Sequence, residues 1–474
     1  MKVLLVRPMA SNERFGLGPF FRIEPLGLEY IASALQQRGH EIAIYDLRFS
    51  RSLERILKKE RPRLVGIATA HTLDTDDAIA AARRVKEFDP DIFTLIGGHG
   101  AAAYPRAFAK PWVDGLCFED GEEVVPNVLG VLENGGDLHE VAGLAVYDRN
   151  AADFVYGPLS PQPVNLDQVP LPARTLLKTT HRHYLCVQRK PVYLVETARG
   201  CPYRCSFCSI WQHMGRTFRC RSTHAVVKDF ELVGENIFVA DDLFWYPTSR
   251  SEELACALVR RGIRKKWTLV QTRADVVARN EKLLELWRPV AKHFDIFFGF
   301  ESPTDQGLER LSKDFRTEDI EAAIAVCRTL DYGITGNFII GLDWEEKDFH
   351  RLWDFTDRLK LHHLGYTILT PLPGTAYFER ERHRIREQDW SKYDMHHALW
   401  EPRLGRRRFF ELFAETWRRS ALHIKDARGF WALLSQIRPG HVPFLLKVMK
   451  QTRRLFNPEA YLAECFPTES AEGS

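Results

Sequence analysis

Along the first third of the chain, short apolar runs alternate with stretches whose apolar residues recur every three or four positions. Residues 2–7, 41–46, 64–70, 92–98 and 115–119 read as strands, and 25–38, 52–60, 76–88 and 123–132 as helices. Strands joined by helical crossovers imply an α/β fold with a parallel, doubly wound sheet, which binds ligands beyond the carboxyl ends of its strands. From 146 to about 190 the pattern breaks. Gly157-Pro158-Leu159-Ser160-Pro161-Gln162-Pro163 and Val169-Pro170-Leu171-Pro172 sustain neither a helix nor a central strand, so this stretch is expected to be a connector. Between 191 and 380 the alternation resumes. Strand-like runs at 192–197, 236–240, 267–272, 295–300, 334–340 and 364–369 are mostly followed by helical patterns. They predict a barrel or partial barrel of the (β/α) type. The remainder, 381–474, reads as a helical region rich in arginine and aromatics. The expected domains are therefore 1–145, the connector 146–190, 191–380, and 381–474.

The chemistry collects just after the first strand of the second unit. Cys201, Cys205 and Cys208 stand at Cys-x₃-Cys-x₂-Cys in the run Gly200-Cys201-Pro202-Tyr203-Arg204-Cys205-Ser206-Phe207-Cys208. Three thiolates do not close a tetrahedral site. They can hold three irons of a four-iron, four-sulfur cluster and leave the fourth iron open to a substrate. A zinc site needs a fourth ligand, for which His213 is the near candidate, and the sequence carries no second Cys-x₂-Cys knuckle. The other six cysteines are scattered and read as buried or incidental thiols.

Polar groups gather at the expected strand ends of both units. In the first unit these are Thr69-Ala70-His71, Gly97-Gly98-His99-Gly100 and Glu119-Asp120-Gly121-Glu122. A tight strand-to-helix turn accounts for Gly97-Gly98 as well as a ligand does. In the second unit they are Asp241-Asp242, Gln271 and Arg273, Glu301-Ser302, Asn337, and Thr370-Pro371-Leu372-Pro373-Gly374-Thr375. Each of these, taken singly, is equally well an N-cap or a solvated loop-end charge.

Composition narrows the classes. With 45% hydrophobic residues in 474 the chain can bury sizeable cores, and a net charge of +3 gives no reason to invoke nucleic acid. The opening Val3-Leu4-Leu5-Val6 is broken by Arg7-Pro8 and reads as a buried strand rather than a leader. No stretch is apolar for the length of a membrane span. Free thiols and an oxygen-labile cluster suit a reducing cytoplasm. In the tail, Arg406-Arg407-Arg408-Phe409-Phe410, the run from Pro443 to Lys450, and Arg453-Arg454-Leu455-Phe456 could lie on an anionic membrane face. Packing of an apolar stripe on the barrel is the favoured alternative. His362-His363 and His396-His397 are sequence neighbours that face apart on a helix, and read as local hydrogen-bonders rather than a shared metal site.

The cysteine triplet, with the aromatic Phe207 before its last member, resembles the radical S-adenosylmethionine (SAM) superfamily. That resemblance implies a 4Fe-4S cluster whose open iron chelates SAM. It also implies Phe207 against the adenine, Arg273 near the carboxylate, Glu301 or Asn337 near the ribose or methionine part, and an Asp241-Asp242 contact to the SAM amine. The first unit resembles the cobalamin-binding domain of one subclass. The shared features are a strand ending in Arg7-Pro8, the helix start Pro25-Leu26-Gly27-Leu28, a Gly-Gly-His loop, and Glu119-Asp120-Gly121-Glu122 in place of a Gly-Glu-Gly-Glu loop. This implies cobalamin contacts from Thr69, Gly97, Gly98, His99, Glu119, Gly121 and Glu122. The Asp-x-His-x-x-Gly motif is absent, and Asp137-Leu138-His139 has its glycine late, at Gly143, so no axial histidine is expected.

More narrowly, the chain resembles the hopanoid C-3 methylase group. The shared stretches are Phe21-Arg22-Ile23-Glu24-Pro25-Leu26-Gly27, Phe238-Val239-Ala240-Asp241-Asp242, Gln271-Thr272-Arg273-Ala274-Asp275 and Thr370-Pro371-Leu372-Pro373-Gly374-Thr375. They continue through Tyr393-Asp394, His397-Ala398-Leu399, Arg403-Leu404 and Phe456-Asn457-Pro458, while Trp400-Glu401-Pro402 departs from the group. The resemblance implies a cobalamin-dependent methyltransferase acting on an unactivated carbon of a small apolar molecule such as a polycyclic lipid, fed by a flavodoxin or ferredoxin. Rival readings are a cyclase or oxidase of the Mg-protoporphyrin ester type and a cobalamin or cluster sensor without turnover.

Overall fold

The computed structural model describes residues 1–9, 21–50, 52–186, 189–215, 217–362, 364–385, 389–421, 450 and 453–465. The first unit is a seven-stranded sheet in the order Glu41–Asp46, Lys2–Arg7, Leu64–Ala68, Phe93–Gly97, Gly115–Cys117, Leu144–Asp148, Asp153–Tyr156. The first five of these pair in parallel. Alternate side chains feed opposite layers. Leu4, Val6, Val65, Ile67 and Ile96 meet Leu53 and Leu57 of helix Leu53–Glu60 and Ala78, Ala82 and Val85 of helix Thr75–Phe88. Val3, Leu5, Leu64 and Leu95 meet Leu28 and Leu35 of helix Leu26–Gln37 and Val124, Val128 and Leu129 of helix Gly121–Asn134. Strands apolar on both sides are what a sheet covered on both faces requires. The expected elements of this unit are all present, most of them shifted by one or two residues at an end.

One difference concerns its edge. The sheet does not stop near 145. Leu144–Asp148 and Asp153–Tyr156 form an antiparallel hairpin that extends it into the proline-rich stretch, where no strand was expected. Prolines begin at Pro158, past the hairpin, so they did not forbid it.

The second unit is a six-stranded, all-parallel sheet in sequential order: Tyr193–Val195, Asn236–Val239, Lys265–Thr272, Ala291–Glu301, Gly333–Ile340 and Gly365–Ile368. Its two outer strands are not paired with each other, so it is a partial barrel. Ile237, Val239, Val270, Ile296, Phe298, Phe338 and Ile340 pack outward beneath the helices. On the other face, Leu194, Phe238, Trp267 and Leu269 receive Leu26 and Tyr30 from the first unit and Val164 and Val169 from the connector. The barrel interior is thus closed at one end by the neighbouring unit.

Helix Arg406–Ala421 buries Phe409, Phe410, Phe413 and Trp417 in the barrel core. Its arginines point to acids at the surface: Arg406 to Glu401 at 2.5 Å, Arg407 to Glu459 at 2.7 Å and Arg408 to Glu346 at 2.7 Å. This is the favoured packing arrangement for that helix. Pro443 to Met449 lie outside the described residues, as does His363. His396 and His397 both bond Asp394 within their own loop, as local hydrogen-bonders do. Among the described residues no helix is long and apolar enough to cross a membrane.

Candidate functional site

The cysteine loop is framed by a two-stranded antiparallel ribbon, Ala198–Gly200 with Phe218–Cys220, that the sequence pattern did not disclose. Its entry is braced from the second barrel strand. Asp241, buried, accepts the Thr197 N–H at 2.6 Å, the Ala198 N–H at 3.1 Å and the Thr197 hydroxyl at 2.5 Å. Asp242 accepts the Gly200 N–H at 2.9 Å. Burial pushes the Asp241 carboxyl up to about 7, against the pull of those three donors. Both aspartates therefore hold the loop. Three donors from the loop thus occupy acceptor sites of the Asp241 carboxylate, the group expected to meet the SAM amine.

Beyond Gly200 the loop is tied by its backbone. Trp211 donates to the Cys205 carbonyl at 3.0 Å, the Ser206 N–H to Leu311 O at 3.1 Å, and the Tyr377 N–H to Ser206 O at 3.0 Å. Burial raises all three thiols, Cys208 to about 12, and each of Cys205 and Cys201 raises Cys208 further. A metal that binds them must displace protons. Among the described residues, the one His/Cys/Asp/Glu trio whose ligand atoms lie within 4.8 Å of one another is elsewhere, at Glu24, Glu29 and His181.

Two cations lean over the loop. Arg273, at the end of the third barrel strand, stacks its guanidinium 3.4 Å from the Tyr203 ring centroid and donates to Asp275 through Nε at 2.9 Å. Its buried Nη1 has no hydrogen-bond partner among the described residues. A buried donor left open beside three thiols is a ready place for an anionic group. Lys313, fully within the protein, pairs with Glu301 at 2.9 Å and lies 5.9 Å from the Phe207 ring. Glu301 adopts φ +62° at a register shift in its strand. A bulge with a left-handed glutamate is a strained conformation of the kind that re-aims a side chain at functional sites. It needs Gly299 beneath it, where a Cβ would stand 2.3 Å from Glu301 Oε1. Asn337 faces inward and donates to the Thr367 hydroxyl at 2.8 Å.

The first unit meets this loop with the carboxyl ends of its strands. Thr69 is buried, donates through Oγ1 to Gly97 O at 3.0 Å and accepts the Ala101 N–H at 2.9 Å. Gly98 sits at φ +107°, where a side chain would strike Thr69 O at 2.5 Å, so the Gly-Gly turn interlocks two loops. His99 then reaches across the boundary. Its Nε2 lies 2.6 Å from the Ser209 hydroxyl, one residue past Cys208, and its ring meets His213 edge-on at 4.8 Å. Its Nδ1 is buried without a partner among the described residues, and burial pushes the imidazole down to about 3.

The third loop departs from expectation. Glu119 is held by the Ser160 backbone and hydroxyl of the connector. Asp120 and Glu122 are taken by the ribbon, through Arg199 at 2.9 and 2.6 Å and through Arg219 to Asp120 at 2.6 Å. Arg199 also donates to Glu196 at 2.9 Å. Gly121 lies against Ile31, where a Cβ would come within 2.7 Å of Cδ1. The acids of this loop thus clamp the two units together. Arg199, Arg219, Ser209 and Lys313 carry no spacing signal, because they work through contacts made between distant segments; His213, noted from the sequence only as a near candidate for a zinc ligand, meets His99 instead.

A B12 binding domain model matches residues 20–129. The hopanoid C-3 methylase of Methylococcus capsulatus is 30% identical over 476 residues, covering 98% of this chain and 89% of the relative. An anaerobic magnesium-protoporphyrin IX monomethyl ester cyclase of Rubrivivax gelatinosus is 26% identical over 425 residues, covering 85% of this chain and 74% of the relative. Among solved structures, the cobalamin-dependent S-adenosylmethionine radical enzyme OxsB with aqua-cobalamin bound shares the fold. It superposes with a TM-score of 0.68 at 15% identity, over 98% of this chain and 75% of that one.

Proposed function

Since the chain belongs to the cobalamin-dependent radical SAM methyltransferases, we propose that it places a methyl group on an unactivated carbon of an apolar small molecule such as a hopanoid. The observation that carries this reading is the contact of His99 with Ser209 at 2.6 Å. It brings the Gly-Gly-His loop of the B12-binding unit against the residue that follows the cysteine triplet, which supports two cofactors facing one another in one cavity. When bound, the cluster supplies the electron that cleaves SAM, and the corrin supplies the methyl group.

The chain's own residues bind and orient. Cys201, Cys205 and Cys208 are the cluster ligands on this reading. The open Nη1 of Arg273 receives the SAM carboxylate, with Glu301, Asn337 and Phe207 around the rest of that molecule. Lys313 holds the Glu301 side chain in place through their 2.9 Å pair. Thr69, Gly97, Gly98 and His99 border the cobalamin. Gly121 lies against Ile31, and Glu119 and Glu122 fix the loop rather than touch the ligand. His99 is engaged through Nε2, which supports a bridging role instead of ligation of cobalt. Electrons come from a reduced flavodoxin or ferredoxin.

The likeness to the ester cyclase keeps a second reading, oxidation or ring closure without methyl transfer. One experiment separates them. The oxygen-free protein is reconstituted with iron, sulfide and hydroxocobalamin, then given reductant, methyl-labelled SAM and a hopanoid. Label in the product is the expected result. Formation of 5′-deoxyadenosine with an unlabelled, oxidised product supports the cyclase reading, and no 5′-deoxyadenosine at all defeats both.

A further inference from the structure

Away from the cysteine loop, four ionisable side chains and a histidine are packed together where the B12-binding unit, the connector and the first barrel strand meet. Glu24 and Glu29 flank the start of helix Leu26–Gln37, and both are buried, at 1% and 0% exposure. His181 comes from the connector and stacks on Tyr193 at 4.7 Å. Glu24 accepts the Leu194 N–H through Oε1 at 2.6 Å, and its Oε2 lies 2.6 Å from His181 Nε2. Arg174 is committed elsewhere, donating to Asp229 at 2.6 Å and to Leu194 O at 2.6 Å. Its Nε stays 3.6 Å from Glu24 and 3.9 Å from Glu29.

Two independent features point to a missing positive charge. With all three ionised, the buried carboxyl groups of Glu24, Glu29 and Asp229 facing one guanidinium are two charges negative, and a divalent cation with a neutral imidazole brings the group to zero. The second feature is Glu29 itself. Neither carboxyl oxygen has a hydrogen-bond partner among the described residues. A proton on Glu29 would remove the charge but leave its O–H without an acceptor, so protonation alone does not satisfy the site. One oxygen of Glu29, one of Glu24 and a ring nitrogen of His181 lie within 4.8 Å of one another.

We propose that Glu24, Glu29 and His181 bind a divalent cation of the zinc class. Two carboxylate oxygens and an imidazole form a mixed nitrogen–oxygen ligand set, which suits zinc better than magnesium or calcium with their oxygen-only preference. The His181 side chain, 20% exposed, gives the ion a route in. Such an ion would pin the connector between the two units and so fix the distance between the cofactor sites.

The test uses the full chain in a background with Cys201, Cys205 and Cys208 replaced by serine, so that those thiols hold neither zinc nor a cluster. After chelation and dialysis it is loaded with Zn²⁺ alone and its metal content measured by mass spectrometry. One zinc per chain is expected, with a higher unfolding temperature than the chelated protein. Glu29→Gln, an isosteric change, should lose both the zinc and the shift. His181→Gln, at the partly exposed position, gives the same reading if Glu29→Gln fails to fold. Absence of stoichiometric zinc, or equal zinc in the parent and a folded variant, overturns the proposal. Methyl transfer plays no part in the readout, so a failure here is distinct from a failure of the proposed reaction.

Discussion

His99 shows how one side chain carries two jobs that the sequence separates. In the chain it is the third residue of a Gly-Gly-His turn; in the fold it is the link to Ser209 and His213. Its ring is kept neutral by burial, with a pKa lowered from about 6.5 in an unfolded chain to about 3. The sign of the linkage follows. Below pH 6.5 the unfolded chain takes up a proton that the folded one refuses, so stability falls as pH drops from 6.5 towards 3. His99→Gln keeps an amide for Ser209 and removes that titration. Between pH 7.5 and 5.5 the parent should lose about 1 kcal/mol more than the variant, measured from denaturant midpoints. An equal loss in both proteins would place the acid sensitivity elsewhere. The cysteine motif, by contrast, was legible directly, because three cysteines in eight residues are a local pattern. Lys313 was not, since its partner Glu301 and neighbour Phe207 are brought to it by the barrel and not by spacing.

At the level of elements, the ribbon Ala198–Gly200 with Phe218–Cys220 turns a cysteine motif into a fixed loop. A continuous apolar run is what marks a buried strand in the sequence; Ala198–Gly200 and Phe218–Cys220 carry Arg199 and Arg219 instead, so this pair was passed over, as was the hairpin Leu144–Asp148 with Asp153–Tyr156. Its arginines carry the connection. Arg199, 9% exposed, is shared by Glu196, Asp120 and Glu122, and burial leaves little solvent to screen those charges. Removing it leaves buried Glu122 and half-buried Glu196 without their cation, while Asp120 keeps Arg219. Arg199→Met should therefore destabilise the protein by about 3–5 kcal/mol. Iron retained per chain should fall with it, because Gly200 and Cys201 follow directly. Denaturant unfolding and iron analysis check both. A variant that unfolds earlier yet holds a full cluster would show that the clamp serves stability alone.

For the molecule as a whole, the order of units was readable, since strand–helix alternation stops and restarts at the connector. The way they face each other was not. The contact surfaces are built from segments without period. Tyr104 and Leu73 from the first unit pack with Phe378, Trp390 and Tyr393 from beyond the last barrel strand. A second apolar seam is formed by Leu26 and Tyr30 on Leu194, Phe238 and Leu269. Together the two seams hold the B12-binding unit over the barrel mouth. Trp390 is central to its seam, 5.3 Å from Tyr104 and 5.2 Å from Tyr393 by ring centroid. Trp390→Ala should cost about 3–5 kcal/mol of packing at that contact. None of the cluster-loop residues is touched, so SAM cleavage should persist. Methyl transfer, which needs both units in register, should fall further, because small misplacements between reacting groups cost disproportionately in rate. The quantity to follow is 5′-deoxyadenosine formed per methylated product in the reconstituted enzyme, which should rise several-fold over the parent. If the two fall in proportion, the seam stabilises the fold without setting the alignment of the units, and the geometry that matters is held by the Arg199 clamp and His99 alone.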